Sequence, residues 1–320
     1  MTPVALLKLL KSKTPKQFYG DDVDNVYRQH AIFCHPDKFP GNDVAVEAFK
    51  KLGEMKEELL KPSVIIHSKT KEYAIERLYA TGDNTDVHFA KHNGIEYLLK
   101  VTRDPKCGSL LRKEAEALKA LEKLDEKPRL YFPRMIESFS IKGGQHVLVL
   151  AFDPFFHTLK QVKERFVDGV DAKHLAWMFK RLLAGIAHTH SLGLVHGHVT
   201  PEHFLVQRLN HGGRLLDWTM HVKMGEPLTS ICSAYESFYP PEVFKKKPAG
   251  PGLDIYMAAK CGEYLLGTQD APVQVRNFLK VCQKESVSMR PDDAWALHEE
   301  FSGILAKVYG PPKFHQLVLE

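Results

Sequence analysis

With 320 residues, 44% of them hydrophobic and 26% charged, the chain is long enough for one large domain with a substantial core and one small one. A net charge of +5, with basic residues spread along the chain and no basic stripe interleaved with aromatics, argues against nucleic acid as a partner. The five cysteines (Cys34, Cys107, Cys232, Cys261 and Cys282) stand far apart with no C-x-x-C pair, which points to a reducing compartment and against a disulfide framework. No stretch approaches the ~18 apolar residues of a membrane helix. Met1–Leu7 lacks the basic segment and small-residue cleavage site of a secretory leader. The expected location is cytoplasmic, with no membrane partner.

In chain order, residues 3–12 and 44–60 read as helices. Ala45, Ala48, Phe49, Leu52, Met55 and Leu59 form the apolar face of the second. A middle helix is expected from about Asp21 to Cys34, with acidic residues in its first turn. Between the two long helices lies His35-Pro36-Asp37-Lys38, where Pro36 disfavours helix at His35 and turns the chain. This helix–loop–helix around His-Pro-Asp resembles a J domain, expected over 1–62. The resemblance implies a DnaK-type chaperone as partner, engaged through Arg28, His35, Pro36 and Asp37. A plain helical hairpin with a Pro-Asp turn is the alternative. In Tyr27–Cys34, Arg28 is the one permanent cation and Phe33 stands where a lysine is common in that family, so electrostatic steering toward the chaperone would be weak.

From Tyr73 the pattern turns to alternation. Segments 73–80, 86–91 and 95–101 read as strands, with Asn93-Gly94 as a hairpin turn. The third strand ends on Lys100, and a helix carrying Glu114 follows. A second hairpin, Met135 to Phe152, turns at Gly143-Gly144. A long amphipathic helix, about 172–192, then leads into Leu194-Val195-His196-Gly197-His198-Val199-Thr200-Pro201-Glu202-His203-Phe204, and a short strand delivers Asp217-Trp218-Thr219.

This series resembles a protein kinase over roughly 70–305. The implied fold is α+β: a small all-α helical hairpin (the J domain), then a bilobal body with a β-rich small lobe (70–152) and an α-rich large lobe (153–305). Residues 306–320 read as a C-terminal tail. The resemblance implies ATP and Mg2+ as cofactors. Gly82 is the one survivor of the phosphate-loop glycines, and Asp83 and Asp86 would stand near phosphate. Lys100, paired with Glu114 or, as second choice by register, with Glu116, would hold the α- and β-phosphates. Leu150, Ala151 and Asp153 would border the adenine, and Asp217 would bind the metal. Tyr239-Pro240-Pro241-Glu242 and Arg290 match the pair that closes the activation segment of protein kinases.

The loop departs from the family at three places. His198 stands for the catalytic Asp, His203 for the metal-binding Asn, and Thr200 for a lysine. Imidazole with a pKa near ~6.5 could serve as a base, whereas His203 suits magnesium poorly. Zinc on His196, His198 and His203 is disfavoured, because the loop offers no Cys or carboxylate at zinc spacing. His196 reads better as a core histidine bonded to backbone. Three readings stand open. The first is an ATP-binding pseudokinase fused to a J domain, regulating or recruiting a DnaK-type chaperone for an unidentified client. The second is an atypical Ser/Thr kinase using His198. The third is a non-catalytic interaction protein.

Overall fold

In the computed structural model the described residues are 1–20, 22–60 and 64–319. The chain divides into two compact units, Met1–Val64 and Ile65–Glu320.

The first unit holds α1 (Pro3–Ser12), α2 (Pro15–Tyr19), α3 (Val23–Ala31) and α4 (Asp43–Leu60). Apolar periodicity does not anticipate α2. It is set by a capping box, in which the Thr14 hydroxyl accepts from the Gln17 amide (3.3 Å) and the Gln17 side chain accepts from the Thr14 amide (3.1 Å). Leu6, Leu10, Ala48, Leu52 and Met55 form the core, and the Tyr19 hydroxyl donates to the Leu52 carbonyl at 2.6 Å. Helix α3 stops three residues before the expected end. The Phe33 and Cys34 amides bond back only three residues, to His30 and Ala31, and Pro36 bars helix at His35. The following loop carries a single 3-10 turn, Pro36–Lys38. There the His35 ring packs edge-on against Phe49 (5.2 Å) and its Nδ1 accepts the Asp37 amide (3.3 Å). The Asp37 carboxylate and Arg28 are exposed. The expected helix start at Asp21 and domain boundary at 62 lie outside the described residues.

The second unit begins with an antiparallel sheet of strand order β1-β2-β3-β4-β6-β5 among the described residues. Its strands are β1 (Ile65–His67), β2 (Glu72–Thr81), β3 (Thr85–His92), β4 (Ile95–Thr102), β5 (Met135–Ser140) and β6 (His146–Ala151). Helices α5 (Gly108–Leu121) and α6 (Glu126–Arg129) separate β4 from β5. Strand β4 alternates: Tyr97, Leu99 and Val101 join Tyr73, Ala90, Val147 and Val149 in one apolar cluster, and Leu98 and Lys100 take the opposite face.

The chain continues through β7 (Phe156–Thr158), α7 (Leu159–Arg165), α8 (Ala172–Ser191), β8 (Leu194–Val195), β9 (Phe204–Gln207), β10 (Gly213–Leu215) and β11 (Val222–Lys223). Then come α9 (Pro241–Phe244), α10 (Pro251–Leu266), α11 (Val273–Cys282) and α12 (Ala294–Tyr309). Helix α8 is the spine of this half. Asp171 caps its start by accepting the Lys173 amide at 2.8 Å. Leu175, Phe179, Leu182, Leu183 and Ile186 are enclosed along it, and Gly193 (φ +71°) ends it in the left-handed region.

The segment expected as a tail from 306 does not leave the body there. Helix α12 runs on to Tyr309 because Ile304, Leu305 and Tyr309 pack on the main core, and Leu317 is wholly buried in it. His211 Nε2 donates to the His315 carbonyl at 2.8 Å. The tail's last residue, Glu320, lies outside the described residues. Among those described, no helix is long and apolar enough to cross a membrane.

Candidate functional site

Lys100 sits near the end of β4, and its ammonium donates to Glu114 Oε2 and to Asp217 Oδ2, each at 2.8 Å. Glu114 reaches it because α5 turns Leu111, Ala115, Leu118 and Glu114 inward together. The Trp218 amide donates to the other Glu114 oxygen at 3.3 Å, and the Trp218 indole is fully enclosed against His196 and Phe132. Asp217 adopts φ +61°, unusual for a residue with a side chain. Its Oδ1 accepts both the amide and the hydroxyl of Thr219. Burial opposes charge on Lys100, but Asp217 and Glu114 overcome it and raise its pKa. Burial also lifts Asp217, yet Lys100 and the two nearby histidines hold it well below the usual carboxylate range. Glu114, more deeply enclosed, is pushed up by burial with Asp217 adding to it, and Lys100 only partly offsets this.

The loop from His196 to Phe204 is fixed from below by Asp254 of α10. Its two carboxylate oxygens accept the His196 and Gly197 amides, each at 2.8 Å, and His190 Nε2 lies 3.0 Å away. Gly197 has φ +69°, and a Cβ there would stand 2.6 Å from Leu228 and 3.2 Å from the Met220 carbonyl, so only glycine is accommodated. His196 is a core histidine. Its Nε2 donates to the Leu216 carbonyl (2.9 Å) and its Nδ1 accepts the His198 amide (3.2 Å). Burial lowers its pKa to about 4. With both nitrogens engaged it has no lone pair for a metal.

His198 is 5% exposed, and neither ring nitrogen has a hydrogen-bond partner. Its Nδ1 stands 3.8 Å from Asp217 Oδ1, an ionic separation too long for a hydrogen bond. Burial resists charging the ring, but Asp217 and the neighbouring Cys232 outweigh it and raise the pKa to about 9. Asp217 thus favours the protonated ring, which works against this imidazole acting as a base near neutrality. The ring of His203 stands edge-on to that of His198, centroids 4.1 Å apart. Its Nδ1 contacts the Thr200 hydroxyl (3.0 Å) and the His198 carbonyl (3.2 Å), and its Nε2 faces Asp217 Oδ2 at 3.7 Å. Thr200 is fully buried and brings no charge.

Lys100, Glu114, Asp217, His198 and His203 are thus brought together; the remaining expected residues are placed differently. The Gly82 amide is spent on the Thr85 carbonyl at 2.8 Å, closing the β2–β3 turn. Arg103 donates to the Gly82 carbonyl and to Asp86 Oδ1, which offsets the negative charge expected to face phosphate. Leu150 is half-buried and pairs across the sheet with Leu98. The Ala151 amide bonds to the Arg134 carbonyl at 2.9 Å, so it is not available to an adenine edge. The Asp153 carboxylate accepts the Phe155 amide (3.0 Å) and borders a separate cavity of about 680 Å³ with Tyr131, Arg181 and Arg214, which neither Lys100 nor Asp217 lines.

Phe89 and Leu98 were not anticipated. The register pairs Val87 with Lys100 and Phe89 with Leu98, placing all four on the face that carries the lysine. Phe89 is nearly enclosed, edge-on to Phe152 (4.8 Å) and Tyr79 (4.7 Å). The alternation of β3 held this signal. Farther off, Glu242 and Arg290 form a two-bonded ion pair, 2.5 and 3.1 Å.

No family model matches the chain. Over 84 residues, 25% of the chain and 16% of the relative, it is 34% identical to mouse Sperm motility kinase 1. Over 206 residues, 59% of the chain and 43% of the relative, it is 26% identical to rat Serine/threonine-protein kinase DCLK1. The chain therefore spans less than half the length of these curated relatives. Among solved structures, the BubR1 kinase domain superposes with a TM-score of 0.60 at 14% identity, covering 78% of this chain and 84% of that one. The second unit has a protein-kinase-like fold.

Proposed function

We propose that the kinase-like body binds ATP without transferring its phosphate, and that the N-terminal unit is a J-domain module recruiting a DnaK-type chaperone. One observation carries the first half: a complete Lys100–Glu114–Asp217 ion set stands beside a buried His198, an imidazole 3.8 Å from Asp217 where the kinase loop has its carboxylate base. Lys100, already charged and held in place, suits the phosphates. Magnesium suits the site poorly. Asp217 is the oxygen ligand that the loop region offers, His203 presents nitrogen, and Mg2+ demands near-octahedral oxygen coordination. No step is therefore assigned to magnesium. A positioned base contributes ~10²–10⁴-fold, and Thr200 gives no charge to a transferring phosphoryl group.

A second reading, an interaction protein that binds no nucleotide, is favoured by Phe89, Leu98 and Phe152 crowding the face beside Lys100. The full chain incubated with γ-labelled ATP and generic protein substrates should transfer no label above a Lys100→Ala background. Label that is lost in His198→Ala would establish the active-kinase reading instead. For the N-terminal unit, the exposed Asp37 beside a tethered His35 supports docking. Stimulation of a DnaK-type ATPase should disappear in Asp37→Asn, and absence of stimulation by the parent chain sinks the cochaperone claim.

A further inference from the structure

The geometry points to a divalent transition-metal site, with zinc as its occupant, formed by His198, His203 and Asp217. One donor atom from each lies within 4.8 Å of the other two. The His198 carbonyl can only accept a hydrogen bond, so the His203 Nδ1 that contacts it at 3.2 Å carries the hydrogen. His203 Nε2 is then an unprotonated lone pair, and it faces a carboxylate oxygen of Asp217 at 3.7 Å. Two acceptors turned toward each other in a buried site repel unless a cation lies between them. Lys100 covers only part of Asp217, on the same Oδ2. A backbone carbonyl fixing the remote nitrogen is also the usual outer support of a metal-bound histidine.

His198 is 93% buried as a side chain, both its nitrogens lack any hydrogen-bond partner, and Nδ1 faces the other Asp217 oxygen at 3.8 Å. A buried polar group left unpaired is costly, and metal ligation, by displacing the ring proton that Asp217 otherwise favours, satisfies Nδ1. With metal–nitrogen and metal–oxygen bonds of about 2.0–2.2 Å, two ligands of a tetrahedral ion stand about 3.3 Å apart, so donors that lie within 4.8 Å of one another close on the ion by side-chain shifts of the order of an ångström. Two imidazoles and one carboxylate with open positions suit zinc and its neighbours rather than magnesium. Spacing along the loop hid this site, because the carboxylate arrives from beyond β10 and His196 takes no part.

The site shares the cleft with the proposed nucleotide but does not depend on it, so the test omits nucleotide. Co2+ is titrated into the metal-stripped full chain and read by its visible absorption. One equivalent should give a ligand-field band that Zn2+ abolishes and millimolar Mg2+ does not. The band should be lost in His198→Ala and in His203→Ala. His203→Asn, which keeps a polar side chain of similar reach, should weaken Co2+ binding at least about tenfold while leaving the fold's thermal transition in place. Absence of the band, displacement of Co2+ by equimolar Mg2+, or a band surviving both alanine substitutions (surface histidines only) would overturn the proposal. Neither set of results alters the outcome of an ATP-binding measurement made with chelator.

Discussion

His196 and His198 lie two residues apart and are both buried, yet their rings are driven in opposite directions. Burial keeps His196 neutral, with a folded pKa of about 4. The folded chain refuses a proton that the unfolded chain accepts near ~6.5. Its contribution is therefore intact above that pH and lost as pH falls toward 4. Burial also lowers His203 and His221, which adds to the same limb. For His198 burial is outweighed by Asp217 and Cys232, and the folded pKa of about 9 lies above the unfolded value. Its contribution is full below ~6.5 and lost as pH rises to about 9. In chelator, the stability gap between the parent and His198→Gln should therefore shrink from pH 6.5 to 9, by of order 3 kcal/mol. Denaturant melts at the two pH values read this directly, and a constant gap would mean that Asp217 does not hold the proton on His198.

At the scale of elements, the body is tied by ion pairs between segments distant in sequence. Arg290, 5% exposed, grips Glu242 at the start of α9, donates to the Lys284, Gly252 and Glu285 carbonyls, and lies over the Tyr256 ring at 4.9 Å. Truncating one partner leaves a buried charge uncompensated. Glu242→Ala should cost ~3–5 kcal/mol, and adding Arg290→Met should recover part of it. Calorimetric melts of the three variants would reveal strict additivity if the pair is not coupled. This pair was legible in the sequence because both motifs are local and specific. The β3–β4 hairpin was legible too: Asn93 (φ 50°) and Gly94 (φ 76°) adopt the left-handed turn that Asn-Gly announces. Strands β1, β7, β8, β9 and β11 were not, since two to four residues cannot display a period. The meeting of His203 with Asp217 was also hidden. It depends on the β9–β10 pairing, Leu215 opposite Phe204, which carries the chain back beside the loop.

For the whole molecule, the sequence disclosed the order of parts better than the state of the site. The Lys100–Glu114 pair follows from strand and helix register, but protonation of His198 depends on burial and on two neighbours from elsewhere in the chain. Retention of nucleotide without turnover depends on Lys100 more than on any other residue. ATP binding by the full chain, measured as the shift of each variant's own melting temperature with and without magnesium, tests it most directly. ATP at about 100 times its Kd should stabilise the parent by about 2.7 kcal/mol, several degrees. That shift should not require magnesium and should vanish in Lys100→Ala. No shift in the parent, or one that persists in Lys100→Ala, would contradict the claim.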